Sequence, residues 1–362
     1  MRILFALPGL HQVQRGAEVA FLAVATGMAR AGHEVTLIGS GPELPDRPYR
    51  YLRAPSIPRG RFERFPSIPA LRSDTSWEEL SFAPGLLARY RPGDYDATLT
   101  CAYPFTNWAL RRPVLGGARP RHIFVTQNGV WPAISDKSEF RWFGCDGLVC
   151  INPDFLAQTR DRYRAKLIPN GVDLARFGPG APTRARFGLP EGVPIVLMVS
   201  AMIASKNVAD GISAVARLPD AHLVVAGDGP IRAELQAVAA EQLPGRYHPV
   251  SIASEAMPDL YRSADAFLHL SRDESFGNVY VEALATGLPI VAWDLPRTRW
   301  IVGDAVNYAR ADSIDALGAA IGEALGAGDA GRADRLERAK RFDWNAIALQ
   351  YVEFVEEVVA AR

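Results

Sequence analysis

With 362 residues, 48% of them hydrophobic, the chain has material for two domain cores. Its 40 Lys and Arg residues balance 40 Asp and Glu, which argues against a general nucleic-acid binder and leaves only a local basic patch open. Three cysteines, an odd number, build no disulfide framework, and no apolar run is long enough to span a bilayer.

Residues 2–7 read as a buried strand, 8–16 as a loop, 17–31 as a helix ended by Gly32, and 34–38 as a second strand. This is a βαβ opening that enters a globular pattern at once, so a first strand is expected rather than a signal peptide, and a cytoplasmic enzyme is the default. It lacks G-x-G-x-x-G, so a dinucleotide site of the Rossmann kind is unsupported. Gly16, at the mouth of the helix, still lets backbone amides approach a phosphate. His11 reads as a solvated loop residue and His33 as structural. Residues 41–93 are rich in Pro and Arg, with Arg47, Arg50, Arg53, Arg59, Arg61, Arg64 and Arg72 interleaved with Phe62, Phe65 and Trp77. A long, poorly regular excursion with solvated arginines is the expectation. The alternative is an acceptor-facing lid, or a patch for an anionic lipid surface that would put the enzyme on the inner face of the membrane.

Residues 96–100 and 122–126 are further strands. Gln127 or Asn128 follows, and either amide can bond a hydroxyl but cannot shuttle a proton at neutral pH. Residues 147–152 and 166–169 are the last strands of this half, and Cys145 and Cys150 beside them read as buried free thiols. Asn170 to Asp173 turns the chain, and the Gly/Pro-dense residues 179–194 mark a domain boundary nearby.

The second half restarts the alternation with a strand at 194–200. Lys206, in its exit loop, sits where a diphosphate binds in open α/β sheets. A strand at 221–226 leads into the tight turn Gly227-Asp228-Gly229-Pro230, and another strand spans 247–251. The end of the chain is helical, with a last helix after Trp344 whose apolar residues Ile347, Tyr351, Phe354, Val355 and Val358 share one face.

The most informative stretch is 271–294, S-R-D-E-S-F-G-N-V-Y-V-E-A-L-A-T-G-L-P-I-V-A-W-D. It reads as loop, helix, loop and strand, with Asn278 as helix N-cap and Gly287 as the terminating glycine. Glu274 falls in the loop past a strand's carboxyl end, and Glu282 about one turn into the helix. Two acceptor-only carboxylates beside a helix N-terminus suit sugar or ribose hydroxyls next to a diphosphate. The bland alternative is a buried helix with two solvated glutamates.

This stretch resembles the E-x7-E motif of the family-four retaining glycosyltransferases, which have the GT-B fold. Ile168-Pro169-Asn170-Gly171-Val172-Asp173 followed by Phe177 is a further signpost of that family. The resemblance implies an α/β fold of two Rossmann-like doubly wound domains with an interdomain cleft. Residues 1–172 with the C-terminal helix 343–362 would form the acceptor-side domain, and 173–342 the donor domain. It implies a hexosyltransferase-type reaction that moves a sugar from a nucleoside diphosphate sugar to an acceptor hydroxyl. No metal or other cofactor is expected. Glu274 and the amides of Phe276 and Gly277 would hold the transferred sugar, those of Asn278 and Val279 the diphosphate, and Glu282 the ribose. The backbone around Val250 would hold the base, and Lys206 would stabilise the leaving diphosphate. Three departures stand out. Arg15-Gly16 replaces the family's glycine pair, and Gln127 or Asn128 stands where a histidine is common. The arginine that often accompanies the lysine falls at about Ala201, so Arg15 or Arg272 is left to assist Lys206. Double displacement needs two carboxyls about 5 Å apart, whereas Glu274 and Glu282 read as binding groups. A nucleotide-sugar epimerase of the same fold, or a non-catalytic nucleotide-sugar binder, is the alternative.

Overall fold

The computed structural model describes residues 1–114, 117–304, 307–309 (backbone only) and 313–361, so Arg362, the end of the expected C-terminal helix, lies outside the described residues. The chain forms two compact units, Met1–Asn170 with Trp344–Arg362, and Gly171–Asp343.

The first unit is built on β1 (Arg2–Ala6), β2 (Glu34–Gly39), β3 (Arg50–Arg53), β4 (Ala97–Thr100), β5 (Arg121–Val125), β6 (Gly147–Cys150) and β7 (Ala165–Leu167). Their order is β3-β2-β1-β4-β5-β6-β7, and every pair is parallel. Parallel strands with both faces covered need apolar side chains at successive positions, and Ile3, Leu4, Phe5 and Ala6 of β1 are all fully buried. The helix Gly16–Arg30 packs against the last helix, Trp344–Ala360. Their axes approach closely because Gly27 carries no side chain: a Cβ there would stand 2.3 Å from the Cβ of Ala348.

The excursion at 41–93 is more regular than expected. It supplies β3 and the helix Asp74–Arg89, opened by a capping box in which Ser73 and Ser76 bond each other's backbone amides. Phe82 and Leu86, one turn apart, anchor this helix in the core. Pro84 inside the helix hides it from a sequence reading, because proline ordinarily signals a break.

The second unit repeats the plan with β8 (Ile195–Val199), β9 (His222–Ala226), β10 (Tyr247–Val250), β11 (Ala266–His269), β12 (Ile290–Trp293) and β13 (Asn307–Ala309). The order is β10-β9-β8-β11-β12-β13, again all parallel. Its core joins Val196, Met198, Leu223, Val225, Leu268 and Val291 to the helix residues Ile212, Leu235 and Ile321. The two ends of this unit meet where the Val172 amide donates to the Phe342 carbonyl at 2.7 Å. Each sheet with its helices is a Rossmann-like domain, and in each the strand order reverses once, between β1 and β4 and between β8 and β11. Ligands of such sheets bind at the carboxyl ends of the strands beside the reversal.

Candidate active site

The reversal point of the second sheet is formed by the loops that leave β8 and β11. The β8 loop is held by the Gly227-Asp228-Gly229-Pro230 turn. Met202 donates its amide to the Asp228 carbonyl at 2.9 Å, and Ile231 donates to the Met202 carbonyl at 3.3 Å. Contact this close requires glycine. A Cβ on Gly227 (φ +150°) would lie 2.0 Å from the Ser200 oxygen, and one on Gly229 2.3 Å from the Met202 oxygen. The loop ends in a single 3₁₀ turn, Ala204–Lys206. Asn207 follows in the left-handed region at φ +51°, which asparagine tolerates better than most residues, and its side-chain amide donates to the Leu270 carbonyl at 2.9 Å. That bond ties the β8 loop to the β11 loop and delivers Lys206 to Glu274.

Lys206 pairs with Glu274 through its ammonium and also reaches Ser271 Oγ at 3.3 Å. His269, the buried last residue of β11, places Nε2 3.1 Å from the same Glu274 oxygen. Burial alone would raise the Glu274 carboxyl; His269 and then Lys206 outweigh it and hold the group at about 2. Glu274 is therefore a fixed carboxylate, an acceptor of hydrogen bonds at any working pH.

The helix Asn278–Thr286 begins just beyond. Its cap is Gly277, at φ +87°, and Asn278 is the first helical residue rather than the N-cap expected from sequence. Glycine takes the left-handed turn that precedes the helix, which moves the cap back by one residue. Phe276 is buried against Trp300 and Phe342, so its side chain is an anchor and only its backbone faces the loop. Glu282 lies one turn into the helix and accepts a 2.8 Å hydrogen bond from the hydroxyl of Tyr261. Burial pushes the Glu282 carboxyl up, while Tyr261 and the Arg176 charge oppose it. Tyr261 is itself fully buried against Phe177 and Phe267. Val250 ends β10 at the same carboxyl edge, its carbonyl taking the Gly227 amide at 3.1 Å.

Lys206, Glu274, Phe276, Gly277, Asn278, Val279 and Glu282 are thus gathered on two neighbouring loops and one helix start. Sequence reading missed His269 and Tyr261, the two side chains that hold the glutamates. For His269 a signal existed, a polar residue at the carboxyl end of an otherwise apolar strand. Tyr261 carried none, since an aromatic residue in a short helix is ordinarily core.

The remaining predicted residues lie in the first unit. Gly16 is the first residue of its helix. Arg15 is committed locally, 2.7 Å from Glu18 and 3.8 Å from Glu78. The Gln127 and Asn170 amides bond each other in both directions, at 2.5 and 3.0 Å. Asn128 is exposed, with its carbonyl on the Trp131 indole N–H at 2.9 Å. Arg272 lies over the Trp293 ring at 4.6 Å. Among the described residues no group of three His, Cys, Asp or Glu side chains is placed to hold a metal ion.

Comparison with known proteins agrees with this organisation. Residues 14–176 match the family model described as Glycosyltransferase Family 4, and residues 181–343 that of Glycosyl transferases group 1. The chain is 28% identical to a D-inositol 3-phosphate glycosyltransferase of Xylanimonas cellulosilytica, over 96% of this chain and 93% of the relative. It is 34% identical to a phosphatidyl-myo-inositol mannosyltransferase of Mycolicibacterium smegmatis, over 54% and 52%. Among solved structures it is similar to a sucrose-phosphate synthase of Thermosynechococcus elongatus, with TM-score 0.76, 21% identity and full coverage of both chains. It is also similar to Anabaena HepE in complex with UDP-glucose, with TM-score 0.73, 17% identity, and 99% and 100% coverage. The two family models succeed each other along the chain and each coincides with one Rossmann-like unit: the chain belongs to the family-four glycosyltransferases of the GT-B fold.

Proposed function

We propose that the protein transfers a sugar from a nucleoside diphosphate sugar to an acceptor hydroxyl, with retention at the anomeric carbon and without a metal. The observation that carries this reading is the Lys206–Glu274–His269 cluster at the reversal point of the second sheet, beside the helix start that bears Glu282. In this reading Glu274 accepts hydrogen bonds from hydroxyls of the transferred sugar, and the backbone of Phe276 and Gly277 adds to them. The amides of Asn278 and Val279, with the positive end of their helix, receive the diphosphate. Glu282, aimed by Tyr261, takes the ribose, and the backbone at Val250 takes the base.

Lys206 neutralises the phosphate charge that grows as the anomeric C–O bond breaks, the place a metal ion fills in other transferases. The acceptor oxygen attacks the anomeric carbon from the face the diphosphate leaves, and its proton passes to the departing phosphate oxygen. Charge, sugar and proton balance without a protein base. Ala201 supplies no second cation and Arg15 is paired with Glu18, so Lys206 is the cation this reading assigns to the leaving group. The relatives named for inositol phosphate, phosphatidylinositol and lipopolysaccharide chemistry support a polyol or glycolipid hydroxyl as acceptor.

Peripheral contact with an anionic lipid surface belongs to the same proposal. Ile57, Phe65 and Ile68 are exposed on the same stretch of chain as the exposed Arg47, Arg61 and Arg64, a composition that suits headgroups and acyl chains together. No described helix is long and apolar enough to cross a membrane.

The test is a thermal-shift screen against UDP, GDP, ADP, dTDP and their common sugars, with EDTA throughout. A ligand well above its Kd raises stability by roughly 2–4 kcal/mol. One nucleotide should shift the protein with EDTA present, and Glu282→Ala should abolish the shift. A shift that needs added metal, or that survives Glu282→Ala, would overturn the site as drawn.

A further inference from the structure

One short helix touches both ends of the helix that bears Glu282. Helix Arg332–Lys340 has nine residues, as does helix Asn278–Thr286, and the two pack together. Arg335, Arg338 and Phe342 follow at intervals of three and four residues, and the helical turn continues through Arg341, so the three share one face. Arg335 Nε donates to the Gly287 carbonyl at 2.9 Å, where helix Asn278–Thr286 ends. Arg338 Nε donates to the Ile301 carbonyl at 2.7 Å, and its Nη2 to the Trp300 carbonyl. Phe342, 2% exposed, lies against Phe276 and Trp300, with ring centres 5.8 and 6.4 Å away. The two helices therefore run in opposite directions, with contacts at Gly287 and, just before the other helix start, at Phe276.

Stability alone does not favour this arrangement. Arg335 is 4% exposed. Its hydrogen bonds go to backbone carbonyls, those of Gly287 and, at 3.0 Å, Ala330, and its Nη2 is buried with none among the described residues. Burying a cation in this way costs free energy that a well-packed apolar residue would not. What the guanidinium supplies is direction, because its flat fork fixes the Gly287 carbonyl relative to that of Ala330. It also puts positive charge at the negative end of the helix. Arg332 closes on the same residue: a Cβ on Gly287, at φ +79°, would stand 2.9 Å from Arg332 Cγ.

On the transferase reading above, we propose that Arg335 and Phe342 are positioning residues of the site. Arg335 sets where helix Asn278–Thr286 presents Glu282 and its first amides to the nucleoside diphosphate. Phe342 sets the backbone of Phe276 and Gly277 that meets the transferred sugar. Neither side chain touches the donor; each acts through a group that does. Hydrogen bonds weaken steeply when their geometry slips, so loosening either end is read in ligand affinity. The two ends answer to different parts of the donor, which separates positioning from plain packing.

The test uses the full chain, the nucleoside diphosphate returned by the nucleotide screen, and the same diphosphate bearing its sugar. Kd is measured by titration calorimetry without acceptor, and melting is followed in parallel. Arg335→Gln should raise the Kd of the diphosphate about tenfold. Phe342→Leu should leave that Kd within about twofold and lower the affinity for the sugar-bearing donor, relative to the bare diphosphate, about fivefold. Ile321→Val, a truncation in the core of the same unit, controls for stability: it should lower the melting temperature and move neither quantity. Parent-like Kd values in both variants, with melting alone lowered, would make this face ordinary packing and overturn the inference. So would an Ile321→Val protein whose affinities fall as far. If Arg335→Gln does not fold, the sugar-specific loss in Phe342→Leu decides by itself. A parent protein that binds no nucleotide would instead sink the transferase reading, so the two failures are distinguishable.

Discussion

At the carboxyl edge of the second sheet, Lys206, His269 and Glu274 satisfy one another; at the same edge of the first, among the described residues, Glu18 Oε2 and Glu79 Oε1 are buried without a close hydrogen-bond partner. Both edges are the reversal points of doubly wound sheets, where ligands of open α/β sheets ordinarily bind. The difference lies in electrostatics. The second edge pairs its charges, with Lys206 and His269 both meeting one oxygen of Glu274. The first gathers three buried carboxyls, Glu18, Glu78 and Glu79, and Arg15 meets the first two at 2.7 and 3.8 Å.

The largest effect should come from breaking the paired edge. Lys206→Ala removes the cation proposed to meet the leaving diphosphate and should lower kcat by about 10²–10³, with Lys206→Arg recovering part of it. Turnover with the donor from the nucleotide screen checks this. An unchanged rate would return the leaving-group role to another cation. Glu274, held at about 2, should give the activity no acid limb above about pH 4.

The unpaired edge is read by stability against pH. The folded state holds Glu79 protonated up to about 8, while the unfolded chain releases that proton near the ordinary value of 4.5. Between those two values the folded state binds one proton more than the unfolded, so stability falls as pH rises, by at most about 1.4 kcal/mol per unit. Glu79→Gln keeps the side chain neutral at every pH and should flatten that slope, with Glu18, Glu78, Arg15 and Cys101 left in place. Urea melts at pH 5, 6, 7 and 8 decide it: parallel pH profiles for parent and variant would mean that Glu79 ionises normally in the fold.

Much of the second edge was legible in sequence because its groups lie close together in the chain. Glu274 and Glu282 are separated by seven residues within a strand–loop–helix unit that local rules describe. Lys206 was legible because it lies in the loop leaving a strand whose apolar run is unmistakable. His269 and Tyr261 were not, because their roles exist only once β11 and the helix Met257–Arg262 are packed beside that unit. At the first edge Glu18, Glu78 and Glu79 come from two helices about sixty residues apart. One of those helices was concealed by Pro84, and no local pattern announces carboxyls that meet only through tertiary packing. The glycine turn at 227–230 stands between these cases: it was recognised as a turn, but its grip on the β8 loop appears only in three dimensions. Gly227→Ala places a side chain against the Ser200 oxygen at a φ of +150°, and should cost about 1–3 kcal/mol in urea unfolding while lowering turnover through a displaced Lys206. Full stability in that variant would show that the loop yields freely.

The smallest effect tests how finely the second edge is tuned. Tyr261→Phe removes one hydroxyl and leaves the ring packed against Phe177 and Phe267. One hydrogen bond to Glu282 is lost, worth about 1 kcal/mol, so donor KM should rise several-fold with kcat nearly unchanged. The pH dependence gives a second readout that packing alone would not move. Burial already raises the Glu282 carboxyl, and the Tyr261 hydroxyl is the first of the influences opposing it. Without that hydroxyl the carboxyl should rise further, so donor binding, which in the proposed mode uses the ionised form to accept from ribose, should fade at a higher pH on acidification than in the parent. A KM increase with no displacement of that acid limb would mean that Tyr261 only fills space, and that Glu282 is aimed by its helix alone.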